Sequence, residues 1–400
     1  MNTGGTEAPG DRQAAPPGGL LSSPHRPMFV AAGLWAVVVV GVTSWLARID
    51  MSRSSLHSVA SWHAHEMIFG FAAAGFAGYT LTAMTSWTGR ECLSPRGTMV
   101  LSALWIIARL SAAGAFGGNP KLVLPAGVAF LAFVTAILSF AAFRAGSRRG
   151  AVQALFAGLL TGLQIAILSG ASVPRMPVLG LVLLLSVVGG RMVAAFTWNL
   201  IDGSPAQARR FALARLAGAP AAAAISLVLA LEGFGLDQGW LTIRLLLLAA
   251  GAEAVRLSLW QSRQTVQGGL LGMLHLGYVW LPVGLALVAL ARLPGTALSE
   301  GDALHALAAG AVACSIYAVA ARAVARRADQ LRPAFVDVLG FVLLWAAAAL
   351  RVFGQTDPVL GPVAPVLWCA AWALFLGRHC AAAVAPLPRP VFSGPRNRIG

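Results

Sequence analysis

Charged side chains are scarce in this chain. Only 11% of its 400 residues are charged and only 14 are acidic, whereas 58% are hydrophobic. Soluble domains carry roughly 25% charged residues, so this deficit argues against a water-soluble globular protein. The few acids leave a formal net charge of +15. Because the basic residues fall in short segments between apolar runs, their distribution indicates membrane topology and argues against nucleic acid as a partner.

Common metal and disulfide motifs are also missing. The chain has four cysteines and no CxxC pair, so we interpret the cysteines as small apolar residues rather than as ligands or a disulfide framework. The H-E-x-x-H motif is absent, because in the segment 62–67 (WHAHEM) the second histidine precedes the glutamate. A metalloprotease therefore lacks its ligands. The first 25 or so residues lack the pattern of a cleavable signal peptide and are predicted to be disordered.

Long apolar runs are what the sequence does contain. Runs of about 18 residues or more recur along the chain, each long enough to cross a bilayer. We therefore predict an all-α fold, a polytopic membrane helix bundle of about twelve transmembrane helices. Residues 28–384 form this domain, between a disordered cytoplasmic tail at 1–27 and a second cytoplasmic tail at 385–400. The predicted spans are 28–47, 62–84, 98–116, 121–143, 151–171, 176–198, 212–232, 239–260, 268–291, 303–324, 334–353 and 361–384.

The arginines predict the orientation of the bundle. With the N-terminus in the cytoplasm, the inside segments are rich in arginine, and the outside loops have one or two basic residues each. This asymmetry fits the positive-inside rule with both termini cytoplasmic. The inside arginines are Arg144, Arg148, Arg149, Arg209, Arg210, Arg322, Arg326, Arg327, Arg332, Arg389, Arg396 and Arg398.

Histidines stand out among the polar residues of the predicted spans. His63, His65 and Glu66 lie at the start of the second span, where ionisable groups are costly and tend to face a cavity, a partner or a cofactor. Under the predicted topology His305 begins the tenth span at the same outer face, whereas His275 lies nearer the middle of the membrane. Neutral histidine is a ligand for haem iron, copper and zinc. The sequence thus predicts that His63, His65 and His305 approach one outer region.

The spacing of His63 and His65 limits what they can share. Residues i and i+2 of an α-helix point about 200° apart. The two side chains therefore serve two different centres, or the start of this span is not helical. Of the remaining histidines, His25 and His57 fall in predicted loops, and His379 falls near the cytoplasmic end of the last span.

Arg191 lies about midway along an apolar run and needs an anionic partner or a water-filled cavity. A haem propionate, Glu66 and Asp337 are the alternatives, since each could accept hydrogen bonds from its guanidinium group. Glu253 and Arg256 are three residues apart and are predicted to pair on one helix face.

Four segments carry a family resemblance, in the order 62–90, 189–199, 274–281 and 303–311. They resemble the NnrS family, polytopic bacterial proteins associated with haem, copper and nitric oxide. The resemblance implies a haem of the b type and copper, with His63, His65, His275 and His305 as ligands, Arg191 at the cofactor, and Glu66 and Asn199 supporting the ligands.

The function that this resemblance implies is haem and copper binding in a bacterial inner membrane, in the response to nitric oxide and nitrosative stress. Its partners would be the lipid bilayer, nitric oxide or a related small molecule, and a quinol or other electron donor. Two alternatives remain, a quinol-linked reductase of nitric oxide or oxygen and a cofactor-free transporter. A haem–copper oxidase-type centre with a second, bis-histidine haem would call for six histidine ligands, and only four candidates exist.

Overall fold

The protein is a bundle of long helices. The computed structural model describes residues 19–46, 51–199, 201, 203–236, 239–265, 269–327, 330–331, 333–385 and 391. The long helices are α1 His25–Trp45, α2 Val59–Thr88, α3 Pro95–Ala112, α4 Pro120–Ala145, α5 Arg148–Leu168, α6 Met176–Trp198, α7 Pro205–Gly233, α8 Gly239–Leu259, α9 Leu270–Ala291, α10 Glu300–Ala325, α11 Phe335–Phe353 and α12 Val363–Ala383. Short helices cover Leu20–Ser22 and Ser262–Thr265, and Arg326–Arg327 (β1) pairs antiparallel with Gln330–Leu331 (β2).

Local sequence signals explain where several helices begin. Ser94, Asn119 and Ser204 each accept a backbone hydrogen bond at a helix start, and each is followed by proline at the first helical position. This combination satisfies free N–H groups and presets the backbone for a helix. Between α4 and α5 the chain reverses through Gly146, whose φ of 58° favours glycine. These signals fix short connections and make neighbouring helices pack as hairpins.

Within the described residues, ten helices are long and apolar enough to cross a membrane. The predicted third and eighth spans are helical as α3 and α8 but fall outside that set, so the count of twelve stays a prediction. These helices show that the chain is a multi-pass membrane protein with an all-helical bundle, as the sequence predicted. The predicted tails at 1–27 and 385–400 fall mostly outside the described residues, although α1 begins at His25, three residues before the predicted boundary.

Burial separates central helices from those that face lipid. In α2 89% of the apolar window is buried and in α10 78%, against 33% in α12. Peripheral helices expose large apolar side chains such as Phe143 and Phe335, as expected where the surrounding solvent is hydrocarbon. The predicted candidate histidines of α2 and α10 therefore lie on the two most central helices.

In the part of the chain that the structure describes, three helices contain π-helical segments. These are Glu66–Ala72 in α2, Leu185–Gly189 in α6 and Ala306–Ala313 in α10. The first and third begin directly after His65 and His305. π-Helical turns are rare and are often found at functional sites. Their position directly after His65 and His305 therefore indicates a functional site at these histidines.

The last helix closes the bundle against the first. Helix α12 packs along α1, and Trp368 Nε1 donates to the carbonyl oxygen of Ala36 at 3.0 Å. The buried Arg26 donates to the carbonyl oxygens of Ala383 at 3.0 Å and Ala385 at 2.5 Å. These contacts join the two ends of the transmembrane domain.

Candidate functional site

His65 and Glu66 form the centre of a buried polar cluster. Glu66 Oε1 lies 2.8 Å from His65 Nδ1 and 2.6 Å from a guanidinium nitrogen of Arg109, and Trp35 Nε1 donates to Glu66 Oε2 at 2.7 Å. The carboxylate thus has three donors although it is completely buried. The Arg109 charge balances the Glu66 charge, as a buried ion in a membrane protein requires.

His63 and His305 form a separate pair at the start of α2 and α10. Their ring centroids lie 6.3 Å apart with 35° between the ring planes. His63 Nδ1 lies 3.3 Å from Thr43 Oγ1, and His305 Nδ1 lies 2.7 Å from the carbonyl oxygen of Gly301. His65 points elsewhere, toward Glu66. The predicted divergence of His63 and His65 is therefore confirmed, whereas the prediction of one region shared by three histidines holds only for His63 and His305.

The hydrogen bonds set the same tautomer in all three rings. The carbonyl oxygen of Gly301 and the carboxylate of Glu66 can only accept, so they hold the proton on Nδ1 of His305 and His65. Thr43 donates its own hydroxyl to the carbonyl oxygen of Val39 at 2.8 Å and accepts from His63. Each Nε2 is left with a lone pair. A carboxylate or carbonyl behind Nδ1 is the usual arrangement of metal-ligating histidines.

Unpaired polar atoms surround His65. Among the described residues, Nε and one terminal nitrogen of Arg109 and Oε1 of Gln164 are buried without a hydrogen-bond partner. The amide nitrogen of Gln164 lies 3.4 Å from His65 Nε2, to which it can donate a long hydrogen bond. Buried donors without partners are costly. Donors of this kind would suit the carboxylates of a haem or an ordered water beside His65.

His275 has a different environment. Its Nε2 lies 2.8 Å from Thr197 Oγ1 and its Nδ1 lies 2.9 Å from Ser262 Oγ. Thr197 donates to the carbonyl oxygen of Val193, so it accepts from His275 Nε2, and Ser262 can donate to Nδ1. Both ring nitrogens are occupied by the protein itself. His275 therefore does not present a free ligand atom in this structure.

A second buried cluster lies close to His275. Arg256 lies 3.5 Å from Glu253, which confirms the predicted pair, and Glu253 also accepts from Ser186 and Tyr278. The Arg256 guanidinium donates to the carbonyl oxygen of Ser186 at 2.6 Å. A Cβ atom at Gly190 would lie 2.2 Å from Arg256 Cζ. Gly190 thus leaves the space that this guanidinium fills.

Arg191 has neither of the protein partners that were considered for it. Its side chain is exposed, and its Nε donates to the carbonyl oxygen of Val187 at 2.8 Å. Glu66 pairs with Arg109 instead, and Asp337 lies 3.9 Å from Arg378. The expectation of Glu66 or Asp337 as its partner is therefore wrong, because those carboxylates are taken by arginines on other helices.

Asn199, predicted to support the ligands, is exposed at the end of α6, where its backbone N–H bonds to the carbonyl oxygen of Ala195. Among the other histidines, His379 lies near the end of α12, as predicted, whereas His25 differs from expectation. His25 is not in a loop but is buried at the start of α1. His379 is buried, with its ring nitrogens 3.2 Å and 3.0 Å from the carbonyl oxygens of Phe375 and Ala320.

Sequence reasoning missed several members of the clusters. Gln164 carries a signal, since an amide is unusual among the apolar residues of a membrane helix. Trp35 and Thr43 carry none, because both are common in such helices.

Among the described residues, groups of three or more His, Cys, Asp or Glu side chains that could hold a metal ion are absent. His63 and His305 are therefore a pair of potential ligands rather than a complete metal site built from protein alone.

Comparison with protein families identifies a family that matches almost the whole chain. The family model described as NnrS protein matches residues 19–386, nearly the whole chain. No curated protein matches the chain. The matched range contains all the helices and every histidine described above. Since it covers far more than half of the sequence, the chain belongs to the NnrS family.

Proposed function

We propose that this protein binds haem and copper in the bacterial inner membrane and acts in the response to nitric oxide. The observation that carries the proposal is the shared tautomer of His63, His65 and His305. Three central histidines have Nδ1 held by an acceptor. This leaves the Nε2 lone pairs of His63 and His305 available to metal, whereas that of His65 accepts only a long contact of 3.4 Å from Gln164 Nε2, which a metal would displace. The family resemblance supplies nitric oxide as the ligand, and the arginine distribution supports cytoplasmic termini.

The geometry supports two centres. A metal lies about 2 Å from a ligating nitrogen, and the centroid of the imidazole ring lies about 1 Å behind that nitrogen. Two histidine rings on opposite sides of one metal would therefore have their centroids about 6 Å apart. The His63–His305 separation of 6.3 Å fits this arrangement. His65, which points to Glu66, would hold a second centre. When bound, a haem iron supplies the binding of diatomic gases and one-electron chemistry.

The protein's own residues would position these groups. Glu66 would fix the His65 ring and raise its basicity. The unpaired N–H groups of Arg109 would bind the carboxylates of a haem at His65. His275 and Arg191 are left out of this ligand set, and their role in cofactor binding stays a prediction.

The test uses full-length protein purified in detergent. We expect a Soret band that shifts with dithionite and with nitric oxide, and copper in the metal analysis. His63→Ala and His305→Ala should remove the same centre, whereas His65→Ala should remove the other. Glu66→Gln should weaken the His65 centre less than His65→Ala does. The centre whose loss abolishes the Soret band is the haem.

His379→Ala is the matched control, because His379 is a buried histidine whose two nitrogens face backbone carbonyls. It should retain both centres. Identical losses in the His63 and His65 variants would refute the two-centre arrangement. Full retention in all of the ligand variants would refute histidine ligation. Colourless, metal-free protein would leave the cofactor-free transporter, and turnover with a quinol would show a reductase.

A further inference from the structure

An apolar cavity lies deeper in the bundle than the histidines. It is lined by residues of α1, α2, α5, α6 and α10, among them Phe76, Val188, Met192 and Ile316, and it is open on one side. Its volume is about 80 Å³. One water needs about 10–15 Å³ on this measure. The space is therefore several times that of a single water and can hold a substituted six-membered ring.

One polar side chain in the cavity wall has no partner. Gln153 of α5 lines the cavity and is only 2% exposed, and its Oε1 has no hydrogen-bond partner among the described residues. A buried amide oxygen without a donor costs more than a hydrogen bond normally contributes. Tyr79 and Ser315 are the other polar residues in walls that are mostly apolar. The unpaired amide oxygen of Gln153 suits a ligand with a hydroxyl or a similar donor.

The cavity is close to the predicted metal centres. Ala72 and Val312 line it, and each lies seven residues after a candidate ligand, His65 and His305 respectively. The intervening chain is the π-helical segment of α2 or of α10. At no more than 1.5 Å per residue the separation along each helix is about 10 Å. A redox-active ring in the cavity would thus lie close to a metal held by either histidine.

We propose that this cavity binds the ring of a membrane-soluble quinol, with one hydroxyl donating to Gln153 Oε1. The choice of a quinol over other amphiphiles rests on the proposed metal centres, because those centres give a reason for an electron donor at this depth. The amide also suits the oxidised form, since its N–H group can donate to a quinone carbonyl. A lipid acyl chain fits the apolar walls but leaves the amide unpaired.

Binding is measured on the full chain in lipid nanodiscs, by quenching of tryptophan fluorescence with a short-chain ubiquinol, with empty nanodiscs as the blank. Gln153→Leu removes the hydrogen bond and keeps the apolar volume, so we expect about three- to tenfold weaker binding. Val188→Trp fills the cavity and should weaken binding at least about tenfold. Thr161→Val is the control, because Thr161 lies on the same helix, bonds to Thr135 at 3.0 Å and does not line the cavity. It should leave the affinity unchanged.

The outcomes separate this site from the metal centres. The double variant His65→Ala/His305→Ala should bind quinol as the wild type does, so the site can be established even if the protein holds no haem. Unchanged affinity in both Gln153→Leu and Val188→Trp would overturn the proposal. Loss in Val188→Trp with full affinity in Gln153→Leu would also overturn it, since the cavity would then bind an acyl chain by apolar contact alone.

Discussion

The fit between Gly190 and Arg256 gives the sharpest stability prediction. Replacing Gly190 with alanine places a Cβ atom 2.2 Å from Arg256 Cζ, far inside contact distance. Gly218, whose Cβ would lie 2.9 Å from the same atom, closes the other side. The guanidinium must withdraw and lose hydrogen bonds to the Ser186 carbonyl oxygen and to Tyr278. Gly190→Ala should therefore destabilise the bundle.

The magnitude follows from three terms. Overpacking costs about 2 kcal/mol, and two weakened hydrogen bonds inside a membrane protein cost about 1 kcal/mol together. The higher helix propensity of alanine stabilises the variant by about 1 kcal/mol. We expect the free energy of unfolding to fall by about 2 kcal/mol, measured as the midpoint of denaturation followed by tryptophan fluorescence in detergent.

Gly251→Ala is the matched control for Gly190→Ala. Gly251 lies on α8 with Arg256, and its Cβ would meet no atom within 4 Å. This variant should be more stable than the wild type by about 0.5–1 kcal/mol. In an Arg256→Leu background, Gly190→Ala should no longer destabilise. A Gly190→Ala protein as stable as the wild type would refute the proposed close fit.

Three further predictions concern reactivity, topology and Arg191. Burial raises the pKa of Cys92, in the loop after α2, to about 11. The thiolate of Cys92 is therefore scarce at pH 8. The rate of its labelling by iodoacetamide, measured by peptide mass spectrometry, should rise only as the pH approaches 11. Full labelling rate at pH 8 would contradict this. Reporter fusions after Arg149 and Arg210 should both report the cytoplasm, and periplasmic signals from both would overturn the topology. Arg191 lies near Tyr79, which is 14 residues, or about 20 Å, beyond His65 along α2. Arg191→Leu and Arg191→Lys should therefore keep normal haem absorption at His65, and loss of that absorption in both would show that the propionate expectation was right.

The sequence predicts the helices well because a bilayer imposes a fixed length on apolar runs. The predicted spans match helices at every position, and the helix period alone predicts that His63 and His65 diverge. Both inferences depend on one helix at a time. They need no knowledge of which helices are neighbours.

Partners across helices are what the sequence does not reveal. Glu66 finds Arg109 on α3 rather than Arg191 on α6, and no spacing rule distinguishes these choices. Gly190 looks like part of a motif around Arg191, yet its close neighbour is Arg256 on α8. The π-helical segments were also missed, because their composition does not differ from that of an ordinary apolar helix.

The contact between α1 and α12 has a consequence for biogenesis. The acceptors of Arg26 lie 357 and 359 residues further along the chain, so they leave the ribosome long after α1 has entered the bilayer. Until then the guanidinium of Arg26 lacks these two acceptors, and the first helix has no last helix to pack against. Closure by α12 would thus be a late step of assembly, and it would complete only in chains translated to the end of the last helix. A protein shortened to end at residue 384 should keep every long helix but lose the Ala385 carbonyl oxygen, one of the two acceptors that Arg26 has at the end of the last helix. The packing of the first helix thus depends on residues at the C-terminal end of the domain.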